Sequence, residues 1–387
     1  MKRLKNILLL WFASLLAVGC DLTIHEYPDG EIAPSVVSFT LNMEFDTEMP
    51  LHATVDHKSR AMLALEPDLF DVRYIINVYR DLDARQESRD IIKQLVISKD
   101  DVYSLNHSVD LQLDEGNYRF IIWADYVDAG TTDHKYYNCD DFANISLIPG
   151  EDNFISGSND WRDAFVGRQT AEIRITSEEN VVTVPMARPM AKYRFISTDL
   201  EEFITKMMAL KAKAEAERRE QEAAARGEDE TKAEDETKSD DDTKVDTKLE
   251  INLEDYYVVF YYPGWVNTAY NAYIDKSAWS SQGIRFRSSI DKLTTSEAEI
   301  GFDYVIVNSA EDTSKDLVSE VEVSLEIYQK AEREGEPDIK VGGVSKFFVP
   351  LVRSRLTEVR GKFLSSQADG AVGIIPGFDG EFTIPID

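Results

Sequence analysis

Strict period-two alternation of apolar residues is the sequence feature that most restricts how this chain can fold. The longest uninterrupted case lies in residues 37–45, where every second residue is apolar: Val37, Phe39, Leu41, Met43 and Phe45. This spacing is typical of a strand with one buried face. Segments suited to strands follow at 72–78, 109–113, 172–176, 192–197, 256–262, 284–287, 301–307, 321–328, 346–352 and 359–364. Strands that recur with polar turns and few helices predict a mainly β protein made of antiparallel sandwiches.

One connection between two of these strands has a recognisable turn pattern. An apolar strand ends at Leu113, Gly116 follows in a polar turn, and Tyr118 begins the next strand. This order resembles the tyrosine corner found in Greek-key sandwiches. The turn therefore supports the same fold class as the alternation does.

The composition is that of a folded protein. The 387 residues are 43% hydrophobic and 10% aromatic, which is normal for a chain with packed cores. Asp and Glu number 72 against 42 Lys and Arg, so the formal net charge is -30. Nucleic-acid binding needs clustered basic residues, and this charge argues against a nucleic-acid partner. With two cysteines, the chain cannot be a disulfide-rich scaffold.

The first 19 residues have the pattern of a bacterial export signal. A basic start precedes an apolar stretch at 7–18, which is shorter than the roughly 20 residues of a membrane span. Gly19 then stands directly before Cys20, as in a lipoprotein box. We therefore predict that residues 1–19 are a lipoprotein signal peptide and that Cys20 becomes acylated, with palmitate as one acyl group. The alternative is an ordinary signal peptide followed by an incidental cysteine.

Acylation of Cys20 would place the chain at the cell outer membrane. Several acyl chains on one residue give stable anchoring where a single chain would not. Residues 20–35 are largely polar and predict a tether between the lipid and the folded part. We expect a lipid-anchored, surface-exposed protein, although the sequence does not distinguish the surface leaflet from the periplasmic one.

One stretch interrupts the β pattern. Residues 199–226 are rich in Ala, Glu, Lys and Met, and Thr198 with Glu201 fits a capping box, so we predict a helix there. Residues 227–250 then repeat Asp-Glu-Thr-Lys with almost no apolar side chains, which predicts a disordered acidic segment. A Ca²⁺ site at 240–242 is the less favoured alternative, because the spacing of an EF-hand is missing.

The length that remains suits two domains of about 150 residues each. We place their boundary at a polar turn near Asn180. The prediction is an N-terminal β-sandwich at 36–180 and a C-terminal β-sandwich at 181–387. The helical and acidic insertion at 199–250 lies within the second domain.

We find no pattern that carries reaction chemistry. Phosphate-binding loops and the His-Glu-x-x-His, Gly-x-Ser-x-Gly and Cys-x-x-Cys motifs are missing from the sequence. Cys139 and His134 could form a thiol or metal site, but an unpaired structural cysteine is the favoured interpretation. Asp160 and Asp163 could form a glycosidase dyad, but acidic pairs are expected by chance in so acidic a chain. We therefore expect no enzyme activity, no metal site and no cofactor.

Aromatic residues crowd into positions 256–279. Exposed aromatic rings can stack on sugar rings, so this run could form a glycan-binding surface. However, apolar residues occupy both faces of 256–262, which is typical of a buried strand. Packing is the favoured interpretation for most of the run. Trp265 and Trp279, which stand near Gly and Ser, are the residues expected to be exposed and to contact a glycan.

Together with the lipoprotein box and the tether, several short segments resemble the fimbrillin-like lipoproteins of Bacteroidota-type bacteria. Within that group the chain is similar to an uncharacterised lipoprotein family related to fimbrial subunits and fimbrial anchors. The segments are IWADYV at 122–127, NDWRDAF at 159–165, ARPMAKY at 187–193, PLVRSRLT at 350–357 and GKFL at 361–364. Each one alone is a weak signature, and their order and spacing carry the resemblance.

The resemblance implies two transthyretin-like β-sandwiches and a role as a pilus subunit, tip or anchor. In fimbrillins a protease cuts after an arginine in an early loop, and a strand from a neighbouring subunit fills the groove that the first strand leaves. Here Arg60 would be the processing site. The donor strand would comprise Phe382, Ile384 and Ile386. From the residues alone, the favoured interpretation is that 37–45 and 382–386 are ordinary strands of their own domains.

Taken together, these features predict a lipid-anchored cell-envelope protein, a fimbrial-type subunit or accessory in pilus assembly or adhesion. Its expected partners are the outer membrane, through the lipid, and other fimbrial subunits, through strand exchange. The alternative is a surface lipoprotein that binds a glycan.

Replacing Cys20 with Ala should remove the lipid anchor. Because no other apolar stretch is long enough to span a bilayer, the variant should move from the membrane to the soluble fraction. Fractionation of cells producing wild type or Cys20→Ala measures this, with Cys139→Ala as the matched control. Continued membrane association of Cys20→Ala would contradict the prediction.

Overall fold

The structure is a computed structural model that describes residues 36–49, 67–82, 86–100, 102, 104–175, 180–227, 250–308, 319–331, 333 and 335–366. Several predictions fall outside these ranges. They concern the signal peptide at 1–19, Cys20, the tether at 20–35, Arg60, nearly all of the acidic segment at 227–250, and Phe382, Ile384 and Ile386.

The described residues form nineteen strands and one α-helix, which confirms a mainly β protein. The first half contains β1 Val36–Phe45, β2 Phe70–Leu82, β3 Gln86–Lys99, β4 His107–Asp114, β5 Gly116–Asp128, β6 Tyr137–Asn138, β7 Ile145–Leu147, β8 Ala164–Ile173 and β9 Asn180–Ala187. The second half contains β10 Met190–Ser197, α1 Leu200–Gly227, β11 Tyr256–Tyr262, β12 Val266–Asn271, β13 Lys276–Ser281, β14 Ile284–Ser288, β15 Asp291–Lys292, β16 Ala298–Ile306, β17 Ser319–Gln329, β18 Ile339–Leu351 and β19 Leu356–Gly361. Short 3-10 turns occur at Pro67–Leu69, Glu151–Asn153, Asp160–Arg162 and Leu253–Asp255.

Seven strands of the first half form one sheet, in the order β3-β2-β5-β8-β9-β1-β4. One face of this sheet covers a core that includes Leu41, Tyr74 and Phe120. These residues belong to alternating sets on β1, β2 and β5, so the period-two pattern of the sequence determines which side chains enter the core.

The domain boundary predicted near Asn180 is wrong, because it lies before β9 and β9 still belongs to the first sheet. Strand β9 begins at Asn180 and pairs with both β8 and β1, so it belongs to the first sheet. Its residues Val182, Val184 and Met186 pack in the first core. The polar residues that suggested a boundary separate two strands of the same sheet, and the chain leaves this sheet after Ala187.

The second half is built on two four-stranded sheets, β15-β16-β10-β19 and β14-β11-β17-β18. Side chains from both sheets form a common core. The rings of Phe260 and Phe286 stack there with centroids 4.7 Å apart, and Phe195 meets Phe260 edge-on at 5.4 Å. Two strand pairs, β1 with β9 and β10 with β19, run parallel, so the arrangement departs from the antiparallel prediction at these two places.

A fourth sheet, β13-β12-β7-β6, takes two strands from each half. Ala269 and Tyr270 of β12 pair with Ser146 and Ile145 of β7. A third core cluster combines residues of both halves, Trp123 and Tyr270 among others. The two halves are therefore joined by a common core and by the sheet β13-β12-β7-β6, which we call the shared sheet.

Helix α1 starts and ends one residue later than the predicted range 199–226. Leu200, Phe203 and Met207 are buried in the second core, as their spacing on one helix face leads one to expect. From Leu210 onward the described side chains are mostly exposed. Within the described part of the chain, no helix combines the length and the apolar character that crossing a membrane requires.

The predicted tyrosine corner is present between β4 and β5. Tyr118 is buried, and its hydroxyl donates a 2.8 Å hydrogen bond to the backbone oxygen of Asp114. Gly116 has a φ of 155°, a conformation that residues with a Cβ atom rarely adopt. The glycine and the tyrosine together hold the tight connection between the two strands.

A buried ion pair joins the two halves. Arg162, from the 3-10 turn before β8, contacts Asp303 of β16, and both side chains are almost fully buried. Tyr262 donates a 2.6 Å hydrogen bond to the other carboxylate oxygen, and the Tyr193 hydroxyl lies 2.6 Å from that of Tyr262. Arg162 also donates to the backbone oxygen of Tyr304 at 3.0 Å. Burial raises the pKa of the Asp303 carboxyl above its ordinary value, although Arg162 opposes the rise.

Replacing Arg162 with Ala should leave the Asp303 carboxylate unpaired in the interior. Breaking a buried pair in this way lowers the free energy of unfolding by about 3–5 kcal/mol. The loss should become smaller as the pH is lowered, because the raised pKa lets Asp303 bind a proton in the folded state and a neutral carboxyl needs no cation. Urea unfolding followed by circular dichroism measures the effect.

Arg218→Ala is the control for this experiment. Arg218 pairs with Glu222 at 3.5 Å on the exposed surface of α1. Losing such a pair costs less than about 1 kcal/mol. Equal losses for the two substitutions would show that Arg162 does not have the joining role assigned to it.

Candidate functional site

Strand β1 links other strands of the first sheet. It pairs with β4 in antiparallel register from Val36 to Met43, and with β9 in parallel register from Phe39 to Phe45. Among the described residues, β4 has β1 as its sole hydrogen-bonded neighbour in the sheet. Strand β9 pairs with β8 through only two residues. The attachment of β4, and most of that of β9, therefore depends on β1.

The inward face of β1 fills a groove between β4 and β9. Val37, Phe39, Leu41 and Met43 are at most 6% exposed. Phe39 meets Phe120 edge-on with ring centroids 5.8 Å apart. Burying each such side chain contributes roughly 1.5–3 kcal/mol. An empty groove would thus cost a free energy comparable to the whole stability of a domain, about 5–15 kcal/mol.

The outward face of β1 is polar and is bonded to β4. Thr40 donates to Asp110 at 2.9 Å, and Ser108 donates to Asn42 at 2.7 Å. These bonds lie at the surface, where water competes for the same groups, so each adds little to stability. The apolar face and the backbone ladders therefore supply most of what holds β1 in place.

An arginine holds the chain where β1 ends. The Nε of Arg188 lies 2.9 and 2.8 Å from the two carboxylate oxygens of Asp163, and Nη1 donates to the backbone oxygens of Asp46 and Glu48 at 3.4 and 3.3 Å. Arg353 donates to the backbone oxygen of Arg188 at 2.7 Å. Asp163, Arg188 and Arg353 come from three of the segments that carry the family resemblance, so these segments meet at the end of β1.

A second surface feature is a cleft of about 470 Å³ on the shared sheet. Trp279 of β13 stands at this cleft and is 67% exposed. Hydroxyl and amide side chains also line it, including those of Asn144, Ser146, Thr268 and Ser281. An exposed aromatic ring beside polar groups can hold a sugar, and the glycan contact of Trp279 stays a prediction.

Trp265 is as exposed as Trp279, at 66%, but it does not line this cleft. It precedes β12, whereas Trp279 lies within β13. The structure therefore brings only one of the two candidate tryptophans to the cleft. In β11 the burial alternates and Tyr261 is 40% exposed, so this strand has one buried face, not the two that were predicted.

Cys139 lies in a buried polar cluster. Arg73 and Asp125 form an ion pair at 2.6 Å, and the sulfur of Cys139 is 3.4 Å from the Arg73 guanidinium. The two ring nitrogens of His134 contact Arg73 at 2.9 Å and Asp140 at 3.0 Å. Burial raises the pKa of the Cys139 thiol well above its ordinary value. The described residues hold no group of three or more His, Cys, Asp and Glu side chains that could bind a metal ion.

Asp160 and Asp163 each have their own cationic partner. Lys192 lies 2.5 Å from Asp160, and the Tyr304 hydroxyl donates to the same carboxylate at 2.9 Å. Asp163 is held by Arg188 as described above. Both carboxylates thus have structural partners.

The described C-terminal end is firmly packed. Phe363 and Leu364 are fully buried, and the backbone N–H of Ser365 donates to Asp199 at 2.7 Å. The description ends at Ser366. The donor residues Phe382, Ile384 and Ile386 lie outside the described residues, as do Cys20 and Arg60, so donation, lipidation and processing stay predictions.

The sequence did not predict the cleft residues Asn144 and Ser146, nor the contact between Arg188 and Asp163. The local sequence pattern could not identify Asn144 and Ser146, because pairing between β7 and β12 brings together residues far apart in the chain. Asp163 and Arg188 lie in segments that carry the resemblance to fimbrillin-like lipoproteins. The sequence therefore marked these segments, but it did not indicate that the two residues contact each other.

Comparison with known protein families identifies the family of this chain. Residues 34–387 match a family described as a family of unknown function, DUF6562. The chain therefore belongs to this family. No curated protein matches it.

Three solved structures show similarity to this chain over most of its length. A candidate polysaccharide-binding protein (DUF1812) from Bacteroides thetaiotaomicron is 12% identical, with 79% of each chain covered and a TM-score of 0.39. A candidate adhesin from Bacteroides ovatus is 9% identical, with 91% of this chain and 93% of that one covered and a TM-score of 0.37. The fimbrial anchor protein Mfa2 from Porphyromonas gingivalis is 8% identical, with 76% and 79% covered and a TM-score of 0.33. These values are too low to transfer residue roles.

Cys139 should be unreactive in the folded protein. In a chain that starts at Asp21 it is the only cysteine, so Ellman's reagent reports on it alone. Because burial shields the sulfur and raises its pKa, we expect no reaction in native buffer and full reaction in denaturant. A second cysteine placed at the exposed Asn144 should react at once and serves as the control. Rapid reaction of the native wild-type chain would contradict the structural role.

Proposed function

We propose that this chain is a lipid-anchored protein of the outer membrane, a fimbrial-type subunit or accessory that acts in pilus assembly or adhesion without a catalytic role. The observation that carries the proposal is the position of β1, the first described strand, which holds β4 and β9 in the sheet. The sequence resemblance to fimbrillin-like lipoproteins supports the same role. It is also the kind of role for which two of the solved proteins above are named.

A first strand in this position can be exchanged. One cut at Arg60, between β1 and β2 in the chain, would leave β1 held by non-covalent contacts alone. The groove would still require an occupant, because β4 and β9 need its backbone hydrogen bonds and the core needs its apolar face. A strand from another subunit satisfies both needs at once.

The C-terminal segment has the pattern that such an occupant needs. Phe382, Ile384 and Ile386 are spaced by two residues, as are Phe39, Leu41 and Met43 on the inward face of β1. Pro385 carries no backbone N–H, so it fits only where that group has no partner in the ladder. We therefore assign the segment as the donor strand.

Acylation at Cys20, with palmitate among the acyl groups, would tether the uncut chain to the membrane, and a cut at Arg60 would leave the lipid on the fragment that carries β1. The net charge of -30 suits a soluble surface protein, because it opposes non-specific association with other acidic surfaces. The outer membrane and other fimbrial subunits are therefore the proposed partners.

A surface glycan-binding lipoprotein is the second candidate function. The specific observation in its favour is the exposure of Trp279 beside the polar groups of the cleft. Adhesion to a glycan and assembly into a fibre use different surfaces, so one chain can carry both.

Cleavage at Arg60 should allow assembly. We expect the mature chain, treated with an arginine-specific protease, to form fibres or discrete oligomers with other fimbrial subunits of the same cell, as seen by electron microscopy and light scattering. Assembly becomes possible because a donor strand restores the burial and the backbone hydrogen bonds that β1 provided.

Two variants are the controls. Arg60→Ala should remain monomeric after the same treatment. A chain ending at Ser366 keeps the packed Phe363 and Leu364 but lacks the donor, so it should be cut without donating a strand. If the cut full-length chain behaves like the chain ending at Ser366, the proposed donation is wrong.

A further inference from the structure

The cleft on the shared sheet has no charged side chain among the described residues that line it. This is unusual for a chain in which 29% of the residues are charged and the net charge is -30. The nearest charged residue in sequence, Arg285, is engaged elsewhere, since it donates to the backbone oxygen of Asp152 at 2.9 Å and lies over the ring of Phe154. A ligand in this cleft therefore meets no ionic partner, and a charged ligand would lose hydration without compensation.

A larger cleft in the second half is lined by charged side chains. Its volume is about 1300 Å³, and charged groups line it, among them Arg287, Glu299 and Asp338. Arg287 lies over the ring of Tyr257 at 5.1 Å, and Tyr257 donates to Asp338 at 2.6 Å. Arg287, Tyr257 and Asp338 already satisfy one another, so this larger cleft makes a weaker case for a ligand.

Backbone pairing leaves Trp279 uncovered. Its partner across the strand pair is Ala269, and the partner of Ala269 on the next strand is Ser146. All three residues line the cleft. Small neighbours in the same row cannot cover an indole ring, which explains why Trp279 stays 67% exposed.

Polar groups of the cleft are available to a ligand. Thr268 and Ser281 share a 2.9 Å hydrogen bond, which leaves each hydroxyl oxygen free to accept another. The side chains of Asn144 and Ser146 make no hydrogen bond within the described part of the chain. Leu147, Pro149 and Ile155 add apolar surface. The volume of about 470 Å³ is within the range of ~300–1,000 Å³ that small-ligand sites occupy.

We propose that this cleft binds a neutral saccharide, with Trp279 as the stacking surface and Asn144, Ser146, Thr268 and Ser281 as hydrogen-bonding groups. A sugar ring presents C–H groups on its faces and hydroxyls at its edge. The apolar faces pack on the indole, and the hydroxyls bond to uncharged donors and acceptors, so both kinds of surface in the cleft are used. The proposal rests on the second candidate function, glycan binding, and is independent of strand exchange.

Binding is tested on the full mature chain with a panel of soluble polysaccharides. The neutral probes are laminarin, mannan, dextran and arabinoxylan, and the acidic probes are alginate and heparin. We expect retardation in affinity electrophoresis by at least one neutral probe and by neither acidic probe. Affinity measured by calorimetry should be unchanged between low and high salt, because no ion pair contributes. Failure of every neutral probe, or binding of the acidic probes alone, overturns the proposal.

Three tryptophan variants locate the site. Trp279→Ala should weaken binding roughly tenfold or more, as expected for an aromatic anchor, while Trp279→Phe should retain part of it. Trp265→Ala removes an equally exposed tryptophan outside the cleft and should bind like wild type. Unchanged circular dichroism and melting temperature of Trp279→Ala exclude misfolding. Equal losses for the two alanine variants, or no loss for either, overturn the site.

Two further outcomes separate this proposal from others. If Trp279→Ala binds no saccharide but assembles normally after cleavage at Arg60, the saccharide site stands and is distinct from the assembly surface. If the cleft selects apolar peptides from a displayed library through Trp279 and no saccharide competes, the occupant is a peptide and the proposal is wrong.

Discussion

The ion pair between Arg162 and Asp303 is the interaction on which the arrangement of the two halves depends. Each charge would cost several kcal/mol if it were buried alone, so neither is satisfied until the halves are docked. Tyr262 completes the site by donating to Asp303. The contact holds β16 against the turn before β8, and the shared sheet places β12 beside β7, where the cleft with Trp279 lies.

The same 3-10 turn also controls the end of β1. Arg162 reaches the second half, while the next residue, Asp163, binds Arg188, whose guanidinium contacts the backbone after β1. The Asn159 side chain holds the turn by accepting from the backbone N–H of Trp161. The strand proposed for exchange and the joint between the halves are therefore tied to adjacent residues of one short segment.

Much of the local structure could be predicted from the sequence, and most errors concern long-range pairing. The alternation at 37–45 predicted β1 and its inward residues, and the order of Gly116 and Tyr118 predicted the tyrosine corner. The boundary at Asn180 failed, because a polar stretch marks a chain reversal but does not show which strands pair on either side of it. The continuous apolar run at 120–124 could have been interpreted as a strand buried on both faces. In the structure one face of β5 packs in the first core there, and the other packs in the core shared by the two halves.

The sequence by itself determined the helix, many of the strands and, for strands such as β1, the side that is buried, because neighbours two residues apart share a face of a strand and neighbours three or four apart share a face of a helix. The tertiary structure alone decided that β1 bridges β4 and β9 and that Trp279, but not Trp265, borders a cleft. These features depend on hydrogen-bonded contacts between residues far apart in the chain. Such contacts are selected by the packing of whole sheets, and no local spacing of residues encodes them.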